Sequence, residues 1–468
     1  MKGSDHLKKE ELKERARQIG NVPKHFQLNI EDYGEDAEEE NRAYFWWDNP
    51  DDEDEAVFVE LGMDGQLEAL GRYVADPEEN TLSDELLFER MLQFTETYYP
   101  GASSQFVLQE QTEEEDGKVR FSYIQMADGL PIPMTGWYAD VSLAGEIVKF
   151  RYCGHAEALV KPEHIADEQT ALAHYVKNVD FKLMFTVLHS SVYESGDDNP
   201  HLVYESYLSP LPADLSECPT ECEDGEIESE SFPLPLFEGV TEKADINSMI
   251  GWHDGLTKVR EADMGDGTIG EVWREGPAPE PKDKSMKSWF EWRMEKVMKM
   301  IRHKETGKLA GVMSFMDKKG PFHLSRAECE KRALRFLFTL FPNADRFFQL
   351  KYDEPEDAET IVGFTFEAVC NGVPLRFGYT RICVNRTTGQ VTTYMAPDID
   401  PETLQSIDPV PSVSIEKARS IFLDALKVKL AWDKQYGDDA SMSYQLVYQP
   451  VFPSFIEAHS GKVIRSLI

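Results

Sequence analysis

The sequence predicts an α+β fold in which one unit, with helices packed on antiparallel sheets, is present twice. Segment Leu82–Leu108 aligns with Leu324–Leu350 without a gap at an offset of 242 residues, with ten identities in 27 positions. In each copy the spacing of apolar residues changes from a helical period of about 3.6 to a strand period of about 2. Each copy then carries an Asx-Gly pair, the dipeptide typical of a two-residue hairpin turn. A fixed offset between similar segments indicates a duplicated structural unit.

The offset holds outside the aligned segment and drifts only slightly. Gly65 pairs with Gly307 at 242, and further pairs follow at slightly larger offsets: Gly129 with Gly372, Gly145 with Gly389, Lys182-Leu183 with Lys429-Leu430, and Leu202-Val203-Tyr204 with Leu446-Val447-Tyr448. Small insertions between such matches are expected in surface loops.

In each copy the sequence predicts a helix that begins after a serine and ends at a proline. In the first copy Ser83 is the N-cap candidate and Pro100 the terminator, and in the second these are Ser325 and Pro342. The apolar residues between them recur every three or four positions: Leu87, Met91, Phe94 and Tyr98, then Cys329, Ala333, Phe336 and Leu340. A second, shorter helix is predicted after Asp167 and after Ser414.

Between the two helices of each copy, alternation predicts an antiparallel meander. The alternating apolar residues are Val119, Phe121 and Tyr123 in one copy, and Val362, Phe364 and Phe366 in the other. The pairs Asp128-Gly129 and Asn371-Gly372 predict the turns. A third strand is expected at Ile147–Tyr152 and Val391–Met395.

These motifs resemble the YcdB/YcdC repeat proteins of bacilli, whose repeat is similar to the PepSY domain. The resemblance rests on the Asx-Gly-x-Pro hairpin and on a recurrent turn before a strand: Asp64-Gly65-Gln66-Leu67, Ala144-Gly145-Glu146-Ile147, Thr306-Gly307-Lys308-Leu309, Thr388-Gly389-Gln390-Val391 and Ser460-Gly461-Lys462-Val463. It implies a duplicated PepSY-like fold. PepSY domains occur in propeptides of secreted metalloproteases and in regulators of cell-wall or spore enzymes, so it also implies a role in inhibiting or chaperoning such a client. It implies no catalytic residue.

The chain is divided into four predicted parts. These are a helical N-terminal leader at residues 1–30, a first repeat at 31–212, an acidic and proline-containing insertion at 213–283, and a second repeat at 284–468. The insertion is predicted to interrupt or replace the closing hairpin that the second repeat has at Phe455–Ile464.

Charge and composition exclude several classes of protein. The chain has 468 residues with 48 basic and 86 acidic side chains, a formal net charge of −38, which disfavours a nucleic-acid partner. No run of about 18 uncharged apolar residues predicts a membrane span. The first 30 residues lack the apolar core of a secretory signal, and six cysteines are too few for a disulfide scaffold, so a cytoplasmic location is expected.

Several patterns could carry chemistry, and each has a plainer interpretation. Cys218 and Cys222 could bind a metal, but the spacing is unusual for zinc and no nearby histidine completes a set. Residues Gly265–Gly270 match the dinucleotide glycine spacing without the required strand and helix, so a loop or hairpin turn is favoured. The sequence has no His-Glu-x-x-His, Gly-x-Ser-x-Gly or P-loop motif. We therefore predict no catalytic, cofactor-binding or metal-binding residue and no cofactor.

Two further features are expected to be structural. The acidic run Glu31–Glu55 lacks a calcium-loop register, and a solvated stretch is the favoured interpretation. Within it, Tyr44–Trp47 form an aromatic cluster whose expected counterpart is Trp289, Phe290 and Trp292, and core packing under the first hairpin is favoured over a binding platform.

The expected function is that of a non-enzymatic binding or regulatory protein. An open sheet edge would present unpaired backbone groups to an extended protein client, and the negative field would favour a basic one. Two alternatives remain open: a hydrolase or small-ligand enzyme with a site between the repeats, and a divalent-cation-responsive acidic protein. The sequence leaves the oligomeric state open.

Overall fold

The duplicated unit predicted from the sequence is present in the structure, a computed structural model. It describes residues 7–34, 42–74, 81–114, 117–216, 231–235, 245–316, 319–351, 360–435 and 443–467. Four successive parts are distinguished below: unit 1 (residues 9–154), extension 1 (residues 158–213), unit 2 (residues 246–396) and extension 2 (residues 401–467).

Unit 1 is an antiparallel sheet with helices on one face. Its elements in chain order are α1 (Lys9–Ile19), β1 (Gln27–Asp32), β2 (Arg42–Asn49), β3 (Asp52–Gly62), β4 (Leu67–Tyr73), α2 (Asp84–Tyr98), α3 (Ala102–Gln105), β5 (Val107–Glu113), β6 (Lys118–Ala127), β7 (Leu130–Ser142) and β8 (Ile147–Gly154). The strand order is β1-β2-β3-β4-β8-β7-β6-β5. Strands that are consecutive in the chain are therefore neighbours in the sheet, except for β4 and β5. Helix α2 lies between these two strands in the chain, and β5 is at the far edge of the sheet.

The helices of unit 1 lie where their apolar residues predict. Helix α2 follows Ser83 and buries Leu87 and Met91, as its periodicity predicts. Helix α1 buries Leu12 and Ala16 against the same core, so part of the predicted leader at residues 1–30 belongs to unit 1. Burial of such apolar side chains, at about 1.5–3 kcal/mol each, is the main stabilising contribution.

Extension 1 follows unit 1 and contains one helix with short strands. Its elements are β9 (Ala158–Val160), α4 (Glu168–Asn178), β10 (Lys182–Val187), β11 (Pro200–Glu205) and β12 (Leu211–Pro212). Asp167 caps α4 by accepting a hydrogen bond from the Thr170 backbone N–H, as the sequence predicts.

Unit 2 repeats the topology of unit 1. A short strand, β13 (Ser231–Pro233), precedes it, and its elements are α5 (Ile246–Ile250), β14 (Leu256–Asp263), β15 (Thr268–Glu275), α6 (Met286–Met294), β16 (Val297–His303), β17 (Leu309–Ser314), α7 (Arg326–Leu340), α8 (Ala344–Phe347), β18 (Phe348–Lys351), β19 (Ile361–Cys370), β20 (Val373–Asn385) and β21 (Val391–Met395). Its order, β14-β15-β16-β17-β21-β20-β19-β18, reproduces that of unit 1 strand for strand. The segments Leu82–Leu108 and Leu324–Leu350 thus form the same helix, turn and edge strand.

The second unit begins earlier than the predicted residue 284. Strands β14 and β15 lie within the predicted insertion at 213–283, yet β15 pairs with β16 along its length and extends the sheet. Helix α6 is an addition between β15 and β16 that has no equivalent in unit 1. Its aromatic residues lie on a helix, so the strand equivalent to the Tyr44–Trp47 strand is β15 and the expected counterpart at Trp289–Trp292 is wrong.

The turn residues adopt the conformation that the Asx-Gly pairs predict. Asp128 and Gly129 have φ of 51° and 77°, and Asn371 and Gly372 have φ of 51° and 80°. Positive φ at both central positions is the two-residue hairpin turn that joins twisted antiparallel strands.

Extension 2 ends the described chain and exchanges strands with extension 1. After a 3-10 turn at Pro401–Ser406 it contains α9 (Ile415–Ala425), β22 (Lys427–Lys434), β23 (Ser443–Val451), β24 (Phe455–Glu457) and β25 (Val463–Ile464). Strand β12 pairs with β23, and β24 pairs with β11, so each extension closes the sheet of the other.

Two equivalent tyrosines, one from each copy, form hydrogen bonds between the copies. The Tyr204 hydroxyl donates to the Val413 carbonyl at 2.8 Å, and the equivalent Tyr448 hydroxyl donates to the Ala166 carbonyl at 2.7 Å. Both tyrosines are buried. The two copies are therefore joined through their extensions in a pseudo-twofold manner.

Candidate functional site

Strand β5 lies at the edge of the unit 1 sheet. It pairs with β6 on one side, with Leu108 opposite Tyr123 and Thr112 opposite Arg120. Its side chains are exposed except for the half-buried Thr112, and two of the exposed ones are apolar: Val107 is 54% exposed and Leu108 is 39% exposed. No described residue pairs with its other side. An open edge of this kind is a template for strand addition.

The backbone groups that face away from the sheet can be assigned from one hydrogen bond. The Glu114 N–H donates to the Lys118 carbonyl at 2.8 Å, across the turn that joins β5 to β6. Because backbone groups alternate sides along a strand, those of Thr112 also face β6. Those of Gln111 and Glu113 therefore face away and are available to an added strand.

The equivalent edge of unit 2 is occupied. Strand β18 corresponds to β5, and Leu350 lies opposite Phe366 in the register that Leu108 and Tyr123 have in unit 1. On the outer side of β18, strand β13 pairs antiparallel, with Phe232 opposite Leu350. The chain thus covers in unit 2 the edge that the described residues leave open in unit 1.

The far half of β5 is acidic. Glu110 and Glu113 lie on the strand and Glu114 follows it. The neighbouring cation is already engaged: Arg120 contacts both oxygens of Asp140, at 2.7 and 2.8 Å, and contacts Glu114 at 3.3 Å. The hydrogen bond to Asp140 raises the pKa of Arg120, which keeps that charge fixed. An added strand would therefore meet an excess of negative charge at this end.

The other edges of the two sheets also differ between the copies, but there it is the edge of unit 1 that the chain contacts. At β1 the Glu31 N–H donates to the Lys284 carbonyl at 2.7 Å, and Asp32 accepts from the Met286 N–H at 2.7 Å. Strand β14, its equivalent in unit 2, pairs only with β15 among the described strands. We treat β5 as the candidate site because only its equivalent shows a paired strand in the molecule itself.

A shallow cleft of about 300 Å³ lies between unit 1 and extension 2, beside the start of β5. Gln109 of β5 lines it, together with Trp432 and Asp433 of β22. Burial raises the pKa of the Asp433 carboxyl. The described lining contains Lys429 and Asp433 but no serine, threonine, cysteine or histidine, so it offers no hydroxyl or thiol nucleophile with a histidine base.

The sequence-predicted candidates are placed as follows. Cys218 and Cys222 lie outside the described residues. Gly265 and Gly267, both with φ of 84°, lie in the hairpin turn between β14 and β15, which confirms the turn interpretation. Among the residues that the structure describes, no three His, Cys, Asp or Glu side chains are arranged to hold a metal ion.

The aromatic cluster divides between the two faces of β2. Phe45 and Trp47 are buried in the core of unit 1. Tyr44 and Trp46 point to the opposite face, where both stack on Phe58 at 6.0 and 5.8 Å between ring centroids. The prediction of core packing is confirmed for one half of the cluster, and alternation along the strand explains the other half.

Sequence reasoning missed the edge contrast between β5 and β18. The matches Phe106/Phe348 and Leu108/Leu350 identify the two strands as equivalent. The covering strand β13 ends at Pro233, is followed by Pro235 and comes after an acidic stretch, so it has no strand pattern of its own. It is recognised as a strand only from its pairing with β18.

Fold and edges together define an internally duplicated α+β protein in which two sheet units of one topology are joined by exchanged strands. Within the described ranges, no helix combines the length and the apolar character needed to cross a membrane. The chain belongs to the family of the YcdB, YcdC repeated domain, which matches residues 9–154 and 240–398. These two ranges coincide closely with units 1 and 2.

Two similar proteins cover all or nearly all of the chain. The uncharacterized protein YcdB of Bacillus subtilis (strain 168) is 56% identical over 474 residues and covers 100% of both chains. The uncharacterized protein YcdC of the same organism is 38% identical, over 97% of this chain and 98% of its own. Among solved structures, the Bacillus megaterium YpeB C-terminal domain is 16% identical, covers 43% of this chain and 87% of that chain, and has a TM-score of 0.27.

Proposed function

We propose that the protein is a non-enzymatic binding module that holds an extended segment of a client protein against the open edge of β5. One observation carries the proposal: the equivalent edge in unit 2 is paired with β13, a segment of the same chain. Strand addition supplies affinity through main-chain hydrogen bonds and specificity through alternate side chains. The added strand in unit 2 serves as the pattern for what unit 1 binds.

The chemistry of the client follows from that pattern. In unit 2 the added strand runs antiparallel and places Phe232 opposite Leu350. A client strand in the same register places an apolar residue opposite Leu108, and its preceding residues lie along Glu110 and Glu113. Basic residues on the N-terminal side of an apolar residue are therefore expected, and the net charge of −38 would speed their encounter.

We also propose that the repeat is PepSY-like, as its motifs suggest, which would make the client an enzyme that is inhibited or chaperoned. The resemblance supports this step, and the register of β13 and β18 does not depend on it.

A defined peptide tests the edge directly. The probe is a peptide with the sequence Ser-Phe-Pro-Leu of residues 231–234, preceded by a segment with two lysines at alternate positions. Fluorescence anisotropy measures the binding of this peptide to the full chain. Gln111→Pro should weaken binding at least about tenfold, because proline removes an outward N–H while the ladder to β6 stays intact. Gln111→Ala, which keeps that N–H, is the matched control and should bind like the original chain.

Three results would contradict the proposal. Equal affinity of Gln111→Pro and Gln111→Ala for the peptide would exclude backbone pairing at this edge. Equal affinity for a peptide with glutamates in place of the lysines would exclude the basic client. If the edge instead pairs with a second copy of the chain, size-exclusion chromatography will show a dimer that Gln111→Pro abolishes, and the client proposal fails.

A further inference from the structure

A second site, separate from the β5 edge, lies in unit 2. A cleft of about 470 Å³ opens between the turn that joins β16 to β17 and the chain that follows β21. Its floor is apolar, with Leu309 and Phe341, and Tyr394 lines it from β21. Tyr394 is 2% exposed. Its hydroxyl is buried and has no hydrogen-bond partner among the described residues.

A buried hydroxyl without a hydrogen-bond partner destabilises the folded state. At the equivalent position of unit 1 there is no hydroxyl. The residue equivalent to Tyr394 is Phe150, which is buried in the core of unit 1. In unit 1 the hydroxyl is on Tyr99, and it donates to the Leu67 carbonyl. The residue equivalent to Tyr99 is Phe341. Unit 2 therefore carries its hydroxyl in a different position, where the described part of the chain supplies no partner.

The same region of unit 1 is closed by side chains from the N-terminal segment. The Arg15 Nε donates to the Gly65 carbonyl at 2.6 Å, and Leu7 lies so close that a Cβ on Gly65 would be 2.5 Å from it. At the equivalent Gly307 no described atom outside its chain neighbours lies within 4 Å of such a Cβ, although the Arg302 Nη1 donates to the Gly307 carbonyl at 3.4 Å. Leu7 and Arg15 thus cover the turn in unit 1 more closely than the described residues cover it in unit 2.

The charges around the cleft favour a cation. Four carboxylates line it against two ammonium groups: Asp266, Glu305, Asp398 and Asp400, with Lys304 and Lys308. The two lysines are already paired, Lys308 with Asp400 at 3.0 Å and Lys304 with Asp263 at 2.5 Å. Burial, together with the nearby charge of Asp400, raises the pKa of Tyr394, so the hydroxyl stays protonated and its oxygen can accept a hydrogen bond.

We propose that this cleft binds a small organic cation, a guanidinium or ammonium group on a short aliphatic stem. The apolar stem lies on Leu309, beside the Lys308 ammonium that lies 4.3 Å from the centroid of the Phe341 ring. The cationic end donates a hydrogen bond to the Tyr394 oxygen and faces the carboxylates at the mouth of the cleft.

Agmatine is the probe, and isothermal titration calorimetry on the full chain is the measurement. Agmatine should bind, and N-butylurea, a neutral compound of similar size, should bind at least about tenfold more weakly. Tyr394→Phe, which restores the unit 1 residue, should weaken agmatine binding about tenfold, the loss expected for one hydrogen bond to a charged group. It should also raise the melting temperature of the unliganded protein, because it removes an unsatisfied buried hydroxyl.

Asp398→Asn completes the test, since Asp398 is exposed at the mouth of the cleft. It should weaken agmatine binding, whereas Asp254→Asn, an exposed carboxylate that does not line the cleft, should leave it unchanged. Equal binding of agmatine to the original chain and to Tyr394→Phe would overturn the proposal. So would equal binding of N-butylurea, or the absence of agmatine binding, which would assign the hydroxyl to water.

Discussion

The strand exchange between the extensions predicts a specific loss of stability. Tyr204→Phe and Tyr448→Phe each remove a hydroxyl that donates to a carbonyl of the other copy, at 2.8 and 2.7 Å. The lost hydrogen bond contributes about 0.5–1.5 kcal/mol, and the half-buried carbonyl left without it adds to the cost, so each variant should lower the free energy of unfolding by about 1–2 kcal/mol. Tyr207→Phe is the matched control, because Tyr207 is 85% exposed.

Urea unfolding followed by near-ultraviolet circular dichroism measures this loss. The control should stay within about 0.5 kcal/mol of the original chain, and the double variant should lose about the sum of the single losses. Hydrogen exchange adds a second readout: in Tyr204→Phe the amides of β11 and β24 should lose protection together, since Tyr204 lies on β11 and these strands pair. Single variants that match Tyr207→Phe, or loss of protection in β11 with β24 unchanged, would refute the exchange.

The remaining predictions concern unit 1. Gly129→Ala should cost about 1–2 kcal/mol of unfolding free energy, because Gly129 has φ of 77° with open space around it. Gly136→Ala should cost about 1–3 kcal/mol more, because its Cβ would lie 2.0 Å from the Tyr123 carbonyl oxygen; equal losses in urea unfolding would contradict this. Burial raises the pKa of Glu68, so its charge destabilises the folded state above the ordinary glutamate pKa of 4.5. Glu68→Gln should therefore raise the melting temperature at pH 7, with the gain vanishing as the pH falls below that value; a gain independent of pH would exclude this cause.

The sequence predicts the parts of the fold that local physics determines. Helix α7 begins after Ser325, whose side chain accepts from the Glu328 N–H, and periodicity locates its buried face. The Asn371-Gly372 turn follows from the positive φ that these residues tolerate. Each of these features depends on neighbours within a few positions of the chain, so one sequence is sufficient to predict it.

The partners of strands that are distant in the chain could not be predicted in this way. Strand β12 consists of Leu211 and Pro212 only, and it is a strand because β23 lies beside it. Strand β13 depends in the same way on β18. The offset between the copies predicts which strands are equivalent, but not that each copy completes the sheet of the other. The candidate site was missed for this reason, since it is defined by a pairing that only one copy has.

The duplication provides an internal comparison that a single unit would lack. Where the two copies must pack, they agree: Leu108 and Leu350 keep the same cross-strand register, and Tyr204 and Tyr448 make equivalent bonds. Where they differ, one copy fills with its own chain what the other leaves open. β13 covers β18 while the described residues leave the edge of β5 open, and the Tyr99 hydroxyl of unit 1 donates to the Leu67 carbonyl while the Tyr394 hydroxyl of unit 2 has no partner among the described residues. Since both copies have the same topology, these differences are not required for folding, and they are the positions at which we expect external partners to bind.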